Sequence, residues 1–150
     1  MKTHLLPVGL GAALMLAVSA TQISAHENDL YGKTTILLDK ATKNNIGQPL
    51  AYRSDFPAAI TSMIVPLEPG QKIRKHLHVV PVYAYVLEGE ITLTYEGDKT
   101  RTYKQGEAFL EATNTWHYGV NNGKEPARIL AVFLGAEGLP NAIPQPESGQ

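Results

Sequence analysis

From Ala59 onward the chain alternates short apolar runs with glycine-bearing turns, a pattern with the two-residue period of β-strands rather than the period of helices. Strands are predicted at Ile60–Leu67, Ile73–Val79, Val82–Leu87, Ile91–Tyr95, Thr100–Tyr103, Ala108–Glu111, His117–Val120 and Ile129–Leu134. Turns fall at Glu68-Pro69-Gly70, Glu88-Gly89-Glu90 and Glu96-Gly97-Asp98. Many short strands at regular spacing imply an all-β sandwich or closed barrel. Upstream, Glu27–Asp55 holds one short apolar run, Thr34–Leu38, and the turn-rich Asn44–Pro49, which together read as an arm with one strand and a loop. From Gly135 the chain turns to Gly, Pro and polar residues, so Leu139–Gln150 reads as an arm or a disordered tail. No internal repeat is visible.

The first 25 residues differ in kind. Lys2, the apolar run Leu5–Ala20 and small residues up to Ala25 have the layout of a signal peptide, and the run is too short to span a membrane. Cleavage is expected after Ala25, with Ala20 as the alternative, and would deliver the chain to a bacterial periplasm or the medium. The expected organisation is then a leader over 1–25, an arm over 26–55, a barrel over 56–135 and a tail over 136–150.

At 150 residues the chain has room for one substantial core. The formal net charge of −1 becomes −2 once Lys2 is removed, which gives no basic surface for nucleic acid. With no cysteine, disulfides, thiolate ligands and a catalytic thiol are excluded.

Chemistry concentrates in the histidines. Outside the leader there are four, and three of them, His76, His78 and His117, lie in strand sequence. His76 and His78 share a strand face at a spacing of roughly 7 Å, close enough to converge on one ion if the barrel brings in His117. The frame around them runs Gly70-(five)-His76-x-His78-(three)-Val82-(six)-Gly89, then Gly106-(five)-Ala112-x-Asn114-(two)-His117-(three)-Asn121. In every spacing this resembles the two motifs of the cupin superfamily, G-x5-H-x-H-x3,4-E-x6-G and G-x5-P-x-G-x2-H-x3-N. The resemblance implies a small antiparallel jelly-roll β-barrel, a divalent transition metal on His76, His78 and His117, a small-molecule ligand beside it, and homodimers. Iron is the foremost metal on that reading, with Mn, Ni, Cu and Zn also compatible with imidazole ligands.

Three positions depart from the motifs: the glutamate is Val82, the proline Ala112 and the second glycine Asn114. Asn tolerates the left-handed backbone such a turn needs. Val82 either fills the barrel of a site that has lost its chemistry or leaves a neutral three-histidine face, as in the three-histidine iron dioxygenases of thiols, diketones and aromatic acids. Glu111 could supply the missing carboxylate or a general base, although the rarity of buried, unpaired Glu favours an exposed charge at a strand end.

Of the remaining candidates, Arg74 shares the parity of His76 and His78 and either meets an anionic substrate at the pocket rim or belongs to a solvated basic run with Lys72 and Lys75. Trp116 and Tyr118 either wall the pocket mouth or pack in the core. Tyr83 and Tyr85 face away from Val82, toward the arm or a subunit interface. His26 would pair an imidazole with a free amine if cleavage follows Ala25. Three functions remain open: a metal-dependent enzyme acting on a small oxygenated or anionic substrate, most plausibly a dioxygenase; a non-catalytic binding module; and a structural barrel.

Overall fold

The computed structural model describes residues 35–146. The leader, its cleavage site and His26 lie outside them. Among the described residues every regular element is a strand: β1 (Ala58–Leu67), β2 (His76–Leu77), β3 (Val82–Glu88), β4 (Glu90–Tyr95), β5 (Lys99–Lys104), β6 (Ala108–Glu111), β7 (His117–Val120), β8 (Ala127–Ala136) and β9 (Ile143–Pro144). They form two antiparallel sheets, ordered β1-β8-β3-β6 and β5-β4-β7-β2-β9. This is the all-β fold that the periodicity predicts, in the jelly-roll form that the cupin resemblance implies.

The core lies between the sheets because the inward residues of each strand are apolar. Val82, Ala84 and Val86 of β3, Ile129, Ala131 and Phe133 of β8, and Ile91, Leu93 and Tyr95 of β4 are all buried. Register fixes which of them stand level. Phe133 and Glu111 both pair with Val82, Ala131 pairs with Ala84 and Met63, and Ile129 pairs with Val86 and Val65. Across the second sheet, Tyr95 pairs with His117 and Leu93 with Gly119.

The motif glycines and asparagines prove to be structural devices, while Val82 and Ala112 are core residues. Gly70, Gly89 and Gly106 have φ of +76°, +68° and +88°, in the left-handed region that favours glycine. At Gly89 a Cβ would also lie 2.6 Å from the Pro126 carbonyl oxygen. Asn114, standing where the motif has glycine, adopts φ 51°, as its tolerance of that region predicts. Asn121 is fully buried: its amide donates to the carbonyls of Leu67 and Glu125, and its Oδ1 accepts from the Gly123 N–H. It ties the end of β1 to the loop leading into β8.

Three segments differ from expectation. The predicted strand Ile73–Val79 shrinks to His76–Leu77, flanked by single bridges Lys72↔Val120 and His78↔Thr113. Within the apolar run Thr34–Leu38, residues 35–38 are irregular and exposed. The turn Asn44–Gln48 is instead pinned to the barrel, with Asn45 N–H donating to Leu110 O, Asn45 Nδ2 to Tyr95 Oη, and Gln48 Nε2 to Thr115 Oγ1. The C-terminal stretch, expected as an arm or a tail, is in part an arm. Ile143 and Pro144 pair with Leu77 and His76, and Gln145 N–H donates to Lys75 O.

Candidate metal centre

His76 on β2 is the register partner of His117 on β7, and His78 follows where β2 ends and bridges to Thr113. The three imidazoles meet with ring centroids 4.5–5.0 Å apart. Each ring is held by a backbone carbonyl at Nδ1: Arg74 O for His76 (2.7 Å), Asn141 O for His78 (2.8 Å) and Thr115 O for His117 (2.9 Å). A carbonyl only accepts, so each Nδ1 donates, and each Nε2 is left for an ion or a second proton. Outer hydrogen bonds of this kind fix the tautomer and orientation of metal-ligating histidines.

The fourth group is Glu111. Its Oε2 lies 2.9 Å from His117 Nε2 and 3.2 Å from His78 Nε2, and its side chain is only 13 % exposed. The expectation of an exposed charge at a strand end is therefore corrected. Glu111 and Val82 are register partners on β6 and β3, so their side chains project from the same face. The carboxylate that the family motif places on β3 stands one strand over. One donor atom from each of His76, His78, Glu111 and His117 falls within a 4.8 Å cluster, a set of three imidazoles and one carboxylate suited to a divalent transition metal.

The electrostatics are coupled. Burial opposes ionisation of Glu111, but hydrogen bonds from His117 and His78 and their charge outweigh it, holding the carboxyl well below the usual carboxylate range. Burial likewise opposes charge on His78, yet the hydrogen bond and charge of Glu111, with the Asn141 carbonyl, raise its proton affinity above that of an ordinary imidazole. His76 lies below the ordinary value, chiefly through burial, with the neighbouring imidazoles adding to the effect. Tyr95 stacks on His117 at 4.9 Å between centroids and accepts a hydrogen bond from Asn45; burial first, and the Glu111 charge second, keep its phenol protonated.

The cluster opens on a cavity of about 330 Å³. Arg74 lines it and is exposed. Trp116 and Tyr118 do not line it; the Lys72 ammonium sits over the Tyr118 ring, 3.6 Å from its centroid, because neighbours of an inward His117 must point outward. Sequence reasoning missed Asn141, whose backbone carbonyl holds His78 across 63 residues. No residue type signals a contact made by a carbonyl.

Residues 63–133 match the family model of the cupin domain. Over that stretch, which makes up most of the barrel, the chain is similar to the cupin domain. No curated protein matches it. Among solved structures it is similar to an uncharacterized conserved protein with a double-stranded beta-helix domain from Klebsiella pneumoniae (17 % identity, 65 % of this chain and 91 % of that one, TM-score 0.50). It is also similar to oxalate decarboxylase from Lactobacillus farciminis in a formate complex (23 %, 57 % and 26 %, TM-score 0.50) and to a mutant of the Bacillus subtilis oxalate decarboxylase (26 %, 57 % and 23 %, TM-score 0.51). The chain spans less than half the length of the oxalate oxidase and decarboxylase chains it matches.

Proposed function

We propose that the protein is an exported cupin that holds one divalent transition metal on His76, His78, His117 and Glu111 and acts on a small organic molecule bound beside it. The observation that carries this reading is the convergence of three carbonyl-anchored imidazoles and a buried carboxylate at one cavity wall. With Glu111 included, the donor set is no longer the neutral three-histidine face that Val82 suggested. It carries one negative charge, and its added oxygen donor suits Fe(II) and Mn(II). When bound, such an ion supplies Lewis-acid polarisation and, for iron, dioxygen chemistry of the dioxygenase type. The protein's part is to hold the donors in place, shield them within the barrel and leave the cavity side open to substrate. Export rests on the leader-like sequence of residues 1–25.

The outer face of the β1-β8-β3-β6 sheet supports self-association. Ile60 and Ile64 are 61 % and 48 % exposed there and pair with Leu134 and Leu130. Tyr83 and Tyr85 continue the same face across β3.

Elemental analysis of protein purified from the periplasm tests the reading, with about one transition metal per chain expected. His76→Ala, His78→Ala and His117→Ala should each lose it. Oxygen uptake with candidate substrates then separates an enzyme from a binding module.

A further inference from the structure

The shape and lining of the cavity narrow the ligand. Register places Phe133 and Glu111 level on one sheet, both opposite Val82, and the His117–Glu111 hydrogen bond sets His117 of the other sheet beside them. Two residues further along the strands stand Met63, Ala131 and Leu93; two further again, Val65, Ile129 and Ile91. All of these line the cavity. Four residues of strand advance about 13 Å, so the cavity follows the strands away from the four-ligand cluster. Beyond the cluster level its wall is mostly hydrocarbon, with Arg74 the charged residue along it. The small Ala131 side chain leaves the channel open at its middle level, while Gly119 makes room for Ile91, Leu93 and Ile73.

The charge at the cluster level sets the other end of the ligand. A divalent ion on three neutral imidazoles and ionised Glu111 keeps a net charge of +1, which one anionic oxygen group neutralises. A second carboxylate placed along that hydrocarbon, away from Arg74 at the exposed rim, would lie there without a partner, at a large desolvation cost.

We propose that the ligand is an amphiphilic monoacid: a single carboxylate or similar anionic oxygen head at the cluster and an unbranched or aromatic hydrocarbon body lying along Phe133, Met63, Ala131 and Ile129. The proposal deepens the metal-centre reading and rests on it. It also sets this chain apart from the oxalate proteins it resembles in fold, because oxalate has no hydrocarbon to place against that wall.

Calorimetric titration of the Zn(II)-loaded protein with propanoate, butanoate, pentanoate, hexanoate and oxalate tests it. Zinc content is measured first on the same samples. Each methylene should tighten binding about fourfold, as expected for removing one CH₂ from water, and hexanoate should bind more tightly than oxalate. Ala131→Leu, which fills the middle of the channel, should leave propanoate affinity within about twofold and cost hexanoate tenfold or more. Should that variant not fold, Met63→Gln, at the level of Ala131, should flatten the series instead.

A flat series, or oxalate as the tightest ligand, on protein that holds zinc overturns the amphiphile and leaves the metal centre standing. If the protein holds no zinc, the metal reading fails. The matching alcohols, propanol to hexanol, titrated into metal-free protein then read the wall alone: the same fourfold steps support an apolar ligand body, and their absence overturns it.

Discussion

Exchanging Val82 and Glu111 is the sharpest probe of how this site is built. The two residues face each other across the β3–β6 pair, with Cβ atoms expected about 5 Å apart on the same face of the sheet. Glu111→Val removes the single anionic donor. It also strips His78 and His117 of the oxygen that lies 3.2 and 2.9 Å from their Nε2 atoms. A unit charge pair about 4 Å apart is worth about 4 kcal/mol at an effective dielectric near 20. Part of that is offset because Glu111 no longer has to be held ionised in a buried position. A net loss of about 3 kcal/mol, or roughly a hundredfold in metal affinity, is expected. Adding Val82→Glu returns a carboxylate to the same face from the neighbouring strand, where the cupin motif has it, and should recover at least half of that loss in free energy. Val82→Glu alone places two carboxylates opposite each other and should destabilise the metal-free protein by about 1 kcal/mol or more. The assay is chelator competition with Mn(II) or Zn(II), with melting curves to confirm folding. Native affinity in a folded Glu111→Val protein would show that Glu111 is not a ligand. A folded double variant no tighter than Glu111→Val would refute the transposed carboxylate.

Other consequences follow from contacts around the cluster. Deleting residues 139–150 removes the Asn141 carbonyl from His78 and the β9 pairing from β2, so metal affinity should fall tenfold to a hundredfold while the barrel core still melts cooperatively, as read by competition and calorimetry. Protons compete with metal at the Nε2 positions. Glu111 raises the proton affinity of His78, so metal affinity should decline as pH falls through a range beginning above the ordinary imidazole value of about 6.5, and should level off at higher pH; an affinity independent of pH between about 5 and 8 contradicts this. Asn121→Ala should destabilise the fold by about 2–3 kcal/mol in chemical denaturation, since it leaves the Leu67 and Glu125 carbonyls and the Gly123 N–H without their partner inside the protein.

Much of this molecule is legible in its sequence because the barrel is written in local signals. Strand after strand, from Ile60 to Leu134, alternates at period two, and Gly70, Gly89 and Gly106 mark turns whose backbone demands glycine. His76 and His78 reveal their shared face by parity, and His117 is recruited by motif spacing. What stays hidden depends on register between distant strands. Nothing local tells that Glu111 stands opposite Val82 and so inherits the role of the missing glutamate. Its burial is tolerable only because two imidazoles separated from it by 6 and 33 residues reach its oxygen. The polar, proline-rich stretch after Gly138 reads as arm or tail, and what orders it is a backbone pairing with β2 rather than an apolar pattern. Thr34–Leu38 errs the other way: its apolar run reads as a strand, and its described residues 35–38 are irregular.

X-ray absorption spectroscopy of protein loaded with one equivalent of Mn(II) or Fe(II) addresses the central claim directly, because it reads the donors around the ion. The account predicts a single site with three imidazole scattering paths and an added oxygen shell from Glu111, falling to two imidazoles in each single histidine-to-alanine variant that still retains metal. A metal that binds without imidazole scattering, or a histidine count unchanged in all three variants, would contradict it.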